Sequence, residues 1–230
     1  MNTNKPVTQT YQNVASQPAV RTEAGNKVLR NTYMLLSMTL LFSAAMAWIS
    51  AANNWPYPGV IITLVGYFGL LFLTTKLRNS VWGIASIFAL TGFMGVTMGP
   101  IVNAYIGAFS NGTELVMMAL GGTGVVFFSM SGVALVSKRD FSWMGKGLMI
   151  GILVAFVAGL GAIFFQMPAL SLAVSSMFIL LMSGLILYQT QQIVNGGETN
   201  YIMATITLFV SLYNLFTSML HLLGAFAGED

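Results

Sequence analysis

The sequence predicts an all-α polytopic membrane protein with seven transmembrane helices. Hydrophobic residues make up 56% of the 230-residue chain and charged residues only 7%, against roughly 25% charged in an average soluble domain. The charges cluster and leave seven long, almost uncharged runs, close to the ~20 apolar residues that a helix needs to cross a hydrocarbon core of about 30 Å. The runs are continuously apolar and do not alternate at period two, which selects helices over a barrel.

Taken in order, residues 1–30 are polar, rich in Thr, Gln, Asn and Ser, and lack the apolar stretch of a signal peptide. They are expected to form a flexible tail, leaving 31–230 as one membrane domain. The first run is Tyr33 to Ala52. The turn NNWPYPG, with two prolines and an interfacial Trp55, leads to the second and shortest run, Gly59 to Thr75. The third, Val81 to Ile106, contains Pro100, which is expected to kink the helix and free a carbonyl near Asn103. The fourth, Glu114 to Val136, holds Gly121, Gly122 and Gly124; Gly95/Gly99 and Gly147/Gly151 each form a GxxxG suited to close helix packing. The fifth and sixth runs are Gly147 to Phe165 and Pro168 to Ile193. The sixth ends in Gln189, Thr190, Gln191 and Gln192, the last two read as a helix end running into the turn NGGETN. The seventh is Tyr201 to Ala227.

Seven spans put the N-terminal segment on the same side as the loops after spans two, four and six. All nine Lys and Arg lie there: Lys5, Arg21, Lys27, Arg30, Lys76, Arg78, Lys138, Arg139 and Lys146. Positive residues mark cytoplasmic loops, so the N-terminus is expected inside and the C-terminus outside. This placement explains a pI near 9.3 by topology and contact with anionic membrane lipid, so no nucleic-acid partner is expected. The absence of Cys excludes disulfides, thiolate metal sites and Cys nucleophiles. No cofactor is expected.

Span seven carries the most distinctive pattern. At about 100° per residue, Thr207, Ser211, Asn214, Ser218 and His221 fall within an arc of about 80°. Such a stripe must face protein or water and not lipid, so span seven is expected to pack inward, the stripe making interhelical hydrogen bonds or lining a water path. His221 is the only histidine, so a common zinc set cannot be completed. Ser131 and His221 loosely suggest a membrane serine protease, but Ser131 lies about 25 Å below the outer helix end and His221 about 9 Å. Reacting groups must come within about 3 Å, so an enzyme is not expected.

The stretches ALTGFMGVTMGPIVNAY (89–105), ALGGTGVVFF (119–128), SKRDFSWMG (137–145) and LYQTQQIVNGGETNYI with LFVSLYNLF together resemble the Bax inhibitor-1 family of seven-span proteins. The similarity covers nearly the whole chain after about residue 27 and is specific in combination, since no single motif is diagnostic. It is closest to bacterial inner-membrane members, through KVLRNTYMLLSMTLLFSA and GGETNYI. The resemblance implies six helices around a central seventh, an inner-membrane location with a periplasmic C-terminus, and modulation, by binding, inhibition or competition, of a membrane-bound ATP-dependent protease of the FtsH type.

Some family members are described as pH-sensitive calcium leak channels that use two membrane aspartates. One lies in a YDTQ-like motif and the other before an INLF-like motif. Matching these motifs places Gln189 and Ser211 at the two acid positions. Two neighbouring carboxylates can share a proton and titrate near neutral pH, whereas Gln and Ser cannot. Calcium also favours anionic oxygen. A cation leak channel or transporter is therefore the alternative, with pH gating weak or absent and calcium a doubtful partner.

Overall fold

The computed structural model describes residues 17–137 and 139–228, with side chains from residue 25 onward. It contains α1 (Gln17–Ala52), α2 (Val60–Leu77), α3 (Trp82–Ala108), α4 (Gly112–Val136), α5 (Met144–Phe164), α6 (Pro168–Val194) and α7 (Tyr201–Ala227), with no strand among the described residues. All seven helices are long and apolar enough to cross a membrane. Six begin and end within a few residues of the predicted runs.

The exception is α1, which starts at Gln17, inside the segment read from sequence as a tail. Tertiary packing accounts for the extension from Gly25 onward. A Cβ at Gly25 would come within 2.9 Å of the Val194 carbonyl at the end of α6, and Val28 and Leu29 pack on the main core. The apolar, membrane-crossing part of α1 is Gly25–Ala52. The first sixteen residues of the expected tail lie outside the described residues.

The seventh helix is central. No residue of α7 from Tyr201 to Ala225 is exposed, and Leu208 and Leu215 are fully buried. Helices α1, α3, α4 and α6 pack directly on it, while α2 lies against α3 and α5 against α6. Phe68 of α2 meets Phe156 of α5 edge-on, ring centroids 5.7 Å apart, so the two outer helices also touch. Six helices thus surround α7, four in contact and two behind them. Lipid tails give helices no hydrophobic reason to associate, so the arrangement rests on close packing and hydrogen bonds.

The α1–α3 seam is the most extensive interface of the bundle and shows both means. A Cβ on Gly95 would collide with the backbone of Ser43, and one on Gly99 would lie 2.6 Å from the Ala47 carbonyl. This GxxxG therefore sets the approach of α1. Gly151 packs on Leu181, whereas the positions around Gly147, Gly121 and Gly124 are open. Pro100 lies within a continuous α3. Its missing N–H leaves the carbonyl four residues earlier without a helical donor. That carbonyl is Val96, not one near Asn103, and Ser50 Oγ donates to it at 2.8 Å. Asn103 instead donates Nδ2 to the Ala51 carbonyl at 2.7 Å.

Replacing Gly95 with Leu drives a side chain into unyielding backbone and is expected to cost about 3 kcal/mol. Gly147→Leu faces open space and should stay within about 0.5 kcal/mol of wild type. Thermal unfolding in detergent compares the two, and equal melting points would contradict the packing described. Ser50→Ala should lower stability by about 1 kcal/mol by leaving the Val96 carbonyl without its donor.

Candidate functional site

The polar stripe of α7 mostly satisfies itself. Thr207 Oγ1 donates to the Met203 carbonyl at 3.1 Å, Ser211 Oγ to Thr207 at 2.7 Å and Asn214 Nδ2 to Val210 at 2.8 Å. Each bond returns to the helix's own preceding turn. Ser218 is buried. Only His221 crosses to another helix: its Nδ1 lies 2.7 Å from Ser175 Oγ on α6.

Ser175, absent from the sequence reading, is legible in depth. It sits about 10 Å inside its end of α6 and His221 about 9 Å inside the matching end of α7. Ser131 has no such partner. A Ser–His hydrogen bond also occurs in hydrolases, where a third group orients the ring. No carboxylate occurs in α6 or α7, and the bond ties these two helices together. Among the described residues no group of three or more His, Cys, Asp or Glu could hold a metal.

Gln189 and Ser211 are both buried, at 7% and 0% exposure. No hydrogen bond links them; Ser211 is spent on Thr207, and Gln189 Nε2 has no partner. Among the described residues the other unpartnered buried side-chain atoms are Thr32 Oγ1 and Ser131 Oγ. All three lie within about 11 Å of the basic-side ends of the membrane-crossing segments, which for α1 is Gly25. Nearby, Tyr33 and Thr190 share a hydrogen bond of 3.3 Å, and Thr205 Oγ1 reaches the Thr32 carbonyl at 3.3 Å.

An apolar groove of about 920 Å³ opens between α1 and α4, floored by Phe209, Leu212, Tyr213 and Phe216 of α7. At about 100° per residue these positions lie on the side of α7 opposite the polar stripe. The stripe and the groove are therefore separate features.

The best-built polar arrangement is at the basic end. Gln191, 3% exposed, spends both ends of its amide on the α4–α5 loop: Nε2 donates to the Arg139 carbonyl, and Oε1 accepts from Phe141 N–H at 2.7 Å. Gln192 Nε2 adds a bond to Ser142 Oγ at 3.2 Å. Within the loop, Ser142 N–H donates to Asp140 Oδ1 at 2.8 Å. The side-chain and backbone bonds from Ser142 hold the Asp140 carboxyl below its ordinary range. A depressed carboxylate pKa favours the loop's folded form above the ordinary range, and that contribution is lost as pH falls through the lowered value.

Asn200 acts in the same way on the α2–α3 loop. Its Nδ2 donates to the Arg78 carbonyl at 3.2 Å and to Asn79 Oδ1 at 2.8 Å. Its Oδ1 meanwhile caps α7, accepting from Ile202 and Met203 N–H. The turn between Gln192 and Asn200 passes through Gly196 at φ 75°, a conformation that favours glycine. With Gly25 seated on the end of α6, the α6–α7 turn ties together both other loops of this end and the entry of α1. Gln191 and Gln192, read from sequence as a helix end, are thus a clamp. The sequence offered only the signal that two amides follow an apolar helix, because their partners lie about fifty residues away.

Gln191→Leu keeps the volume but strands the Phe141 N–H and the Arg139 carbonyl, an expected cost of about 1–3 kcal/mol. Hydrogen exchange at Phe141 should accelerate by about tenfold while central α7 stays protected. Unchanged exchange at Phe141 would show that the clamp does not hold the loop.

The family model described as inhibitor of apoptosis-promoting Bax1 matches residues 25–228. The chain is 52% identical to the modulator of FtsH protease YccA of Escherichia coli over 205 residues, 89% of this chain and 92% of that protein. It is 50% identical over 203 residues to an uncharacterised protein of Pseudomonas aeruginosa, covering 88% and 91% of the two chains. It is 43% identical over 212 residues to an uncharacterised membrane protein of Vibrio cholerae, covering 91% and 94%. Six helices around a central α7, with a sequence matched by the family model and by these relatives over most of its length, place this chain in the Bax inhibitor-1 family.

Proposed function

We propose that this chain is a non-enzymatic, multi-pass inner-membrane protein that binds and modulates a membrane-bound ATP-dependent protease of the FtsH type. The observation that carries the reading is the 52% identity over 89% of the chain to a protein named as a modulator of that protease. Positive loops orient the basic end toward the cytoplasm, the compartment that supplies ATP. The N-terminal segment ahead of α1 lies on that side, where an ATP-driven protease can engage it. The chain then acts as a competing or slowly processed substrate.

Co-purification with a protease variant that traps its substrates tests this. The complete chain is expected to recover the protease, and removal of residues 2–16, which leaves α1 whole, should lower recovery severalfold. Equal recovery without the segment would rule out the tail as a handle. No recovery with the complete chain would rule out the modulator reading.

The neutral pair Gln189 and Ser211 supports this reading over a proton-gated calcium leak, because neither side chain can sense protons or offer calcium an anionic ligand. Calcium flux into liposomes containing the protein is expected not to switch between about pH 6 and about pH 8. A strong pH-dependent flux would overturn that assignment.

A further inference from the structure

We infer that the basic end is a preorganised docking platform for an acidic surface on the cytoplasmic part of the protease, an inference that rests on the modulator reading above. The basic end is rich in exposed cations. Lys27, Arg30, Lys76, Arg78, Arg139 and Lys146 are all exposed at this end. Of the acids in its loops, Asp140 accepts from the backbone of Ser142 and Glu198 from the backbone of Asn200. Their carboxylates cap turns and keep their negative charge, but the six cations outnumber these two acids among the described residues of this end.

The loops that carry these cations are also ordered. Gln191 fixes the backbone at Arg139 and Phe141, and Asn200 fixes it at Arg78. Tyr188 packs against Gly145 at the start of α5, where an added Cβ would lie 2.7 Å from its hydroxyl. Gly83, after the α2–α3 loop, sits as closely on Leu77 and Ile202. The loops that carry Arg78 and Arg139 are therefore held against one turn.

Fixed positions distinguish a protein partner from lipid. Anionic headgroups are mobile and attract Lys and Arg near the surface wherever these stand. Orientation and lipid contact alone need no buried glutamine spent on loop backbone. A folded partner gains from loops ordered in advance, because the entropy of fixing them is not lost at docking. The exposed Trp82 and Trp143, 69% and 79% accessible, fit the rim where this face meets the membrane interface.

The test compares three full-length forms, each with its N-terminal segment intact, for recovery of the substrate-trapping protease. Gln191→Leu keeps every charge and releases the loop. Arg139→Glu with Lys146→Glu keeps the clamp and reverses two charges. Each is expected to lower recovery about tenfold, equivalent to about 1.4 kcal/mol. Recovery by either variant within about twofold of wild type overturns the platform. So does a loss of anionic phospholipid retention with protease recovery unchanged, which would assign the face to lipid. Should Gln191→Leu fail to melt cooperatively, Gln192→Ala, which releases the exposed part of the same clamp, takes its place. Absence of protease with the wild-type chain overturns the modulator reading itself, and this inference with it.

Discussion

Hydrocarbon offers no hydrogen-bonding partner, so every polar group carried into the membrane must be satisfied within the protein. That constraint weighs most on α7, which carries Thr205, Thr207, Ser211, Asn214 and Thr217 through the middle of the bundle. All five bond to carbonyls of their own preceding turns. The helix therefore enters the core with much of its polar load already neutralised, and its neighbours need supply mainly close packing. This lets one helix be both the most polar-striped and the most enclosed.

The same constraint explains the α1–α3 seam. Pro100 removes a donor from α3, and the Val96 carbonyl it releases is met by Ser50 of α1. Gly95 and Gly99 bring the two backbones near enough for that bond and for Asn103 to reach Ala51. Proline, glycine and two short polar side chains thus form one unit, and each would be a defect without the others.

At the basic end, where water is within reach, polar groups are spent differently. Gln191 and Asn200 reach across to other loops, and Asp140 and Glu198 cap turns. Along most of α7 satisfaction is local to the helix; at this end it is long-range and joins loops. The basic side chains of this end stand outward, whereas most of the polar stripe of α7 is spent within its own helix.

The sequence by itself determined the seven helices, the side on which all its basic residues lie and the inward position of α7. Those properties follow from helical hydrogen bonds between near neighbours and from hydropathy summed over about 20 residues, both local quantities. It also leaves Gln189 and Ser211, both buried, without charge. Only the tertiary structure decided that α1 continues outward to meet the end of α6, that His221 pairs with Ser175, and that Pro100's freed carbonyl goes to Ser50. It likewise decided that Gln191 and Gln192 clamp a loop. A short amide or hydroxyl can satisfy itself in several ways, and which partner it takes depends on which helices have already come within reach.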